Sequence, residues 1–242
     1  MSQRVAIVTG ASGGIGRAVA LRLAREGMAV AVHYAGSQDR GNETAEAVAG
    51  LGAHVVTISG DVADEVDVDT MFGQVEAELG GVDVVVNAAG IMLLSPLTEL
   101  TLDDFDRMHR TNVRGTFVVN QRAARRVRSG GAIVNFSSSV TKIALTGYTA
   151  YAATKGAVDA MTLILAKEMR GRDVTVNAVA PGPTATPLFL DGKPPEVIDR
   201  LKSMTPLERL GDPIDIAEVV AFLAGPARWI NGQVVYVNGG VV

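Results

Sequence analysis

The sequence predicts an α/β domain built on a doubly wound, parallel sheet of seven strands with helices on both faces. Seven short β-branched runs recur along the 242 residues. Most are continuous apolar stretches rather than strict alternations, as strands covered on both faces require. Between them lie longer segments with apolar residues at helical spacing, and strict strand–helix alternation calls for right-handed crossovers. With 48% hydrophobic and 20% charged residues, the chain has the composition of an ordinary globular protein long enough to bury a substantial core.

The first strand is RVAIVT (4–9), followed by a glycine-rich turn and a helix over 14–26. AVAVH (29–33) leads to a helix over 40–50, HVVTIS (54–59) to one over 65–79, and VDVVVN (82–87) to a long one over 102–128. AIVNFS (132–137), a helix over 151–169 and VTVNAVA (174–180) follow. A helix over 213–224 and QVVYVN (233–238) close the chain. No linker rich in Pro, Gly or Ser separates domains, so residues 1–242 are expected to form one unit. Residues 183–212 break the rhythm: five prolines and scattered charges make a connection longer than the sheet needs, which predicts a substrate lid with a short helix.

Several function classes are excluded or disfavoured. The formal charge of −4 offers no global attraction to nucleic acid or anionic membranes. The absence of cysteine removes disulfides, thiol nucleophiles and thiolate metal sites. His33, His54 and His109 are scattered without metal-ligand spacing, so no metal is expected. The N-terminal MSQRVAIVTG enters a strand without an apolar leader, and no stretch has the length of a membrane span, so a soluble cytoplasmic protein is expected.

Two stretches carry chemistry. In TGASGGIG (9–16), Gly10 permits a tight turn, Gly14 lets backbone approach a pyrophosphate, and Gly16 allows close helix–strand packing. The helix N-terminus behind them offers free N–H groups to phosphate. In YAATK (151–155), Tyr151 and Lys155 stand at i and i+4, one face of a helix, in a chain with only five lysines. A phenol supplies a proton donor, and a neighbouring cation is expected to lower its pKa.

These stretches, with others in order, resemble the short-chain dehydrogenase/reductases, in their one-domain subgroup of about 250 residues with a Rossmann-type sheet. The resemblance spans essentially the whole chain. It assigns cofactor contacts to Gly10, Ser12, Gly14, Ile15 and Gly16, and to Asp61 and Val62 of GDV (60–62) at the adenine. NAAG (87–90) brings Asn87 and Gly90, with Ala88 where the family has a second asparagine. APGPTAT (180–186) brings Pro181, Gly182, Thr184 and Thr186 to the nicotinamide carboxamide. VNFSSS (134–139) ends at Ser138, thirteen residues before Tyr151, which the family uses to hold the substrate oxygen; Thr141 stands where a glycine is usual. Lys155 would also bond the nicotinamide ribose, and Asn112 in RTNVRG would anchor a water that connects Lys155 to solvent.

Tyr34 occupies the end of the second strand, where NAD-dependent relatives carry a carboxylate. With Ser37 as a phosphate donor and Arg40 within reach, NADP(H) is the expected cofactor, NAD(H) not being excluded; Gly13, where many NADP-using relatives carry a basic residue, argues the other way. The resemblance is closest to 3-oxoacyl-carrier-protein reductases and related carbonyl reductases. It implies reduction of a carbonyl to a secondary alcohol, or the reverse, by hydride transfer with Tyr151 as proton donor or acceptor. A 3-oxoacyl thioester on acyl carrier protein or CoA and a small ketone or secondary alcohol are both open, and a non-catalytic NADP-sensing regulator is the remote third reading. Carrier docking in the family uses two basic residues; Arg172 matches one and Ser129, beside Arg128, takes the other place. Leu188 and Phe189 are candidates for an apolar substrate portion. Helices 102–128 and 151–169 carry apolar stripes on more than one face, more than the sheet requires, and the resemblance implies that they form the four-helix interface of a homotetramer.

Overall fold

A computed structural model describes residues 3–242. The first half alternates β1 (Val5–Thr9), α1 (Gly14–Arg25), β2 (Ala29–Tyr34), α2 (Gln38–Ala49), β3 (Val55–Ser59), α3 (Glu65–Leu79) and β4 (Val82–Asn87). Next come α4 (Leu102–Met108), a π-helical segment (His109–Gly115), α5 (Thr116–Arg126), β5 (Val127–Phe136), the short α6 (Val140–Ile143) and α7 (Thr149–Glu168). The chain finishes with β6 (Thr175–Pro181), α8 (Pro187–Leu190), α9 (Pro195–Ser203), α10 (Pro213–Ala224) and β7 (Val234–Val237). The seven strands form one sheet in the order β3-β2-β1-β4-β5-β6-β7, every neighbouring pair parallel. This is the doubly wound sheet expected.

Each face of the sheet has its own core. Val30, Val32, Val84, Val86 and Val134 point towards α1 and α10, while Ala29, Ala31, Val85 and Ile133 point towards α3, α5 and α7. Strands buried on both faces thus account for the unbroken apolar runs in the sequence. The order of strands reverses between β1 and β4, so the loops after their C-terminal ends part and leave a crevice there.

Two expectations about elements need correction. The helix predicted over 102–128 is three pieces, because the wider π turn at His109–Gly115 interrupts it and the chain is already in β5 at Val127. The segment 183–212 carries two helices rather than one, α8 and α9. Among the described residues no helix is long and apolar enough to cross a membrane.

Candidate active site

The turn between β1 and α1 is held by contact. A Cβ on Gly16 would stand 2.3 Å from the carbonyl oxygen of Gly10, so only glycine lets the first turn of α1 press this closely on the strand end. The helix starts at Gly13 with no side-chain cap and no acidic residue in its first turn. Its leading N–H groups are left to a ligand, and an anion is what that positive end accepts. This open, unguarded cradle fits the pyrophosphate of a dinucleotide.

From that turn an open cleft of ≈ 550 Å³ runs across the C-terminal ends of the strands. Of the predicted cofactor residues, Gly10, Ser12, Gly14, Ile15, Gly16, Asp61, Val62, Gly90, Pro181, Gly182, Thr184 and Thr186 line it. Ser138, Tyr151, Lys155, Leu188 and Phe189 line the same cleft.

Four predicted residues lie elsewhere. Tyr34 points to the opposite face of β2, where its ring fills the space left by Gly41 of α2; a Cβ there would be 2.5 Å from the ring. Ser37 is the N-cap of α2, its hydroxyl accepting from the Arg40 N–H at 3.3 Å. Asn87 is buried, donating to Asn120 at 2.9 Å and Asn135 at 2.8 Å, and so braces β4 against β5 and α5 beneath the cleft floor. Asn112 sits on the π turn behind the wall. Its carboxamide exchanges two bonds of 2.9 Å with the backbone of Ile91 and donates to Thr154 at 3.2 Å. At the end of β2 the cleft is instead lined by His33, Ala35, Gly36 and Arg40. His33 is the residue that sequence reading missed there; burial pushes its pKa down to about 4, so its imidazole is neutral while one ring nitrogen meets the Gly60 carbonyl at 3.1 Å.

At the other end, α7 presents Tyr151 and Lys155 together. The ammonium of Lys155 lies 5.6 Å from the Tyr151 ring centroid and donates to the Phe136 carbonyl at 2.8 Å. Ser138 follows the end of β5 and lines the cleft with Tyr151, its hydroxyl accepting from the Val140 N–H at 3.3 Å. Thr141, the departure from the family's glycine, turns its hydroxyl back onto the Ser138 carbonyl at 3.0 Å and so holds the serine's own backbone. Burial dominates both titrating groups. It raises the Tyr151 phenol to about 12, against a smaller downward pull from Ser138. It lowers Lys155 to about 8, against the opposing charge of Asp159 one helical turn further on. The expectation that the neighbouring Lys155 lowers the phenol's pKa is therefore corrected: burial raises it, and the downward pull comes from Ser138.

The two candidate docking arginines are engaged inside the chain. Arg128 forms a paired contact with Asp83, whose carboxylate also accepts from the Val5 N–H at 2.7 Å. Arg172 donates to the Ala124 and Val127 carbonyls at 3.0 and 3.3 Å, capping the end of α5. Both stand at the N-terminal ends of the strands, away from the cleft.

A parallel doubly wound sheet with an anion cradle at its switch point and a tyrosine–lysine pair beyond it defines a dinucleotide-dependent oxidoreductase. Comparison with known proteins gives the particular family. A family model described as "Enoyl-(Acyl carrier protein) reductase" matches residues 10–242. The chain is 37% identical to an NADPH-dependent aldehyde reductase-like protein, chloroplastic, of Arabidopsis thaliana, over 100% of this chain and 95% of the other. It is 40% identical to the 3-oxoacyl-[acyl-carrier-protein] reductase FabG of Staphylococcus aureus, over 98% and 97% of the two chains. A short chain dehydrogenase of Burkholderia cenocepacia J2315, solved in complex with NADP, superposes with a TM-score of 0.93 at 38% identity, covering 99% of this chain and 98% of that one. The chain belongs to the short-chain dehydrogenase/reductase family.

Proposed function

We propose that this chain is an NADP(H)-dependent carbonyl reductase acting on uncharged, largely apolar carbonyl compounds. The observation that carries the reading is the convergence of Ser138, Tyr151 and Lys155 in the cleft that begins at the open glycine cradle. The cradle would hold the pyrophosphate, and Arg40 at the adenosine end would meet a 2′-phosphate, with no carboxylate on Tyr34 or its neighbours to repel it. The NADP-bound and NADPH-dependent relatives support the same cofactor.

A nicotinamide supplies the hydride. This chain's residues manage the oxygen and its proton. Ser138 donates to the carbonyl oxygen and holds it against Tyr151, and Tyr151 gives its O–H proton to that oxygen as negative charge develops there. The resulting phenolate is supported by Lys155, whose ammonium would also bond the ribose of the cofactor when it is bound. Asn112 acts behind them by fixing the Ile91 backbone and Thr154 of α7, which sets the wall against which Lys155 lies. Residues 183–212, whose Leu188 and Phe189 line the cleft, form the lid that excludes water.

A small substrate is preferred to a carrier-bound one because Arg128 and Arg172 are spent on internal contacts. The test is NADPH oxidation with hexanal and with an acetoacetyl thioester of CoA. Faster turnover of hexanal is expected; turnover of the thioester alone would move the reading to 3-oxoacyl reduction, and better use of NADH than NADPH would overturn the cofactor assignment.

The same reading includes a homotetramer. Phe117 on α5 and Leu163 and Ile164 on α7 are 54%, 46% and 55% exposed, an apolar face that one subunit leaves uncovered. Phe222 on α10 and the fully exposed Trp229 beside it form a second such face, and a dimer of dimers needs two. Sedimentation at micromolar concentration is expected to give about four times the monomer mass; a monomer would refute it.

A further inference from the structure

Beyond Tyr151, part of the cleft wall is formed by Ile91, Met92, Ile143, Leu145, Leu188 and Phe189. These six side chains carry neither charge nor hydroxyl, so that stretch of wall suits the apolar body of a substrate and penalises a charged one. One polar side chain interrupts it. Tyr148 lines the same cleft one helical turn before Tyr151, their ring centroids 6.4 Å apart and their planes inclined at 68°.

The ring is held at the start of α7. The Tyr148 N–H donates to the Leu145 carbonyl at 3.3 Å, and its own carbonyl accepts from the Ala152 N–H at 2.7 Å. The edge-on packing against Tyr151 is a favoured aromatic geometry and fixes one phenol relative to the other. Burial alone raises the Tyr148 pKa, with neither a charge nor a hydrogen bond from the protein contributing. The phenol therefore keeps its proton through neutral pH and offers a donor that no group among the described residues satisfies. A half-buried donor beside a reacting group gains most when a ligand supplies the acceptor.

Resting on the reductase reading above, the geometry points to Tyr148 as a second oxygen-binding group: its O–H donates to an oxygen that the substrate carries one or two carbons away from the reacting carbonyl. The preferred substrates are then 1,2- and 1,3-dioxygenated carbonyl compounds with an otherwise apolar body. Two donors fixed on one helix end hold two oxygens of one small molecule, which orients the carbonyl carbon and not merely its oxygen.

The experiment measures NADPH-dependent reduction of 2,3-hexanedione and of hexanal by the parent and by Tyr148→Phe, with NADPH affinity followed by fluorescence. The substitution removes the hydroxyl and keeps the ring, so the fold and the contact with Tyr151 are retained. It is expected to lower kcat/KM for the dione about tenfold, mainly through KM, and to leave hexanal unchanged. An equal loss on both substrates, or no loss on the dione, would overturn the assignment. A parent that binds NADPH and reduces neither probe would overturn the substrate class alone. A parent that does not bind NADPH would overturn the reductase reading itself.

Discussion

Replacing Tyr151 with Phe is expected to lower kcat for carbonyl reduction about a thousandfold, the usual worth of a positioned general acid. NADPH affinity should change little. The phenol is removed without altering the ring, so the edge-to-face contact with Tyr148 and the packing of α7 survive. What disappears is the proton that must reach the oxygen as hydride reaches carbon. Burial raises the phenol to about 12, so it carries its proton at neutral pH. The measurement is steady-state turnover of hexanal beside NADPH binding by fluorescence. Unchanged turnover in the variant would remove Tyr151 from the mechanism and revive a binding-only role, in which the protein senses NADP without reacting.

Much of this site was legible in the sequence because its chemistry is written in local patterns. The glycine turn and the i, i+4 pair each lie on one element, so spacing alone brings their members together. Contacts made across elements were harder to see. At the adenosine end the decisive fact is which face of β2 each residue occupies, and a shift of one residue exchanges the two faces. Tyr34 falls on the α2 face because Gly41 opens a space for its ring, which leaves the neighbouring His33 at the cleft. That pairing of a large ring with a distant glycine leaves no periodic trace. The single helix read over 102–128 failed for a related reason: the backbone stays in the right-handed helical region through the π turn at His109–Gly115, so no turn signal marks the break. Asn112 was the local signal of that break, a poor helix former in the middle of a helical pattern. The pKa values could not be read from the sequence, because both depend on how much solvent the folded cleft removes.

Lys155→Met is expected to abolish most of the reductase activity, again by about a thousandfold, and to do so with a distinctive loss of pH dependence. Methionine matches the length and apolar stem of lysine but cannot donate to Phe136 or carry charge. In the parent, proton transfer leaves a phenolate on Tyr151 in a site with little solvent, and the Lys155 ammonium 5.6 Å from its ring is the cation on α7 that offsets it. Because burial holds the Lys155 pKa at about 8, that cation is lost on the alkaline side of neutrality. The kcat/KM for reduction should therefore fall as pH rises through about 8 in the parent and stay flat in the variant. Stability gives an independent reading with the opposite sign. The folded pKa of about 8 lies below the ordinary 10.5, so the unfolded chain holds this proton more tightly and the ligand-free parent should gain stability between pH 8 and 10.5. The Tyr151 phenol, raised from 10 to about 12, works against that gain above pH 10, where the unfolded chain ionises first. Denaturant melts of parent and Lys155→Met between pH 7.5 and about 10 isolate the lysine contribution, since the phenol is common to both. A parent whose stability relative to the variant stays flat across that range would mean that Lys155 keeps its charge in the folded state with a pKa no lower than the ordinary 10.5, and the alkaline fall in kcat/KM would then need another group.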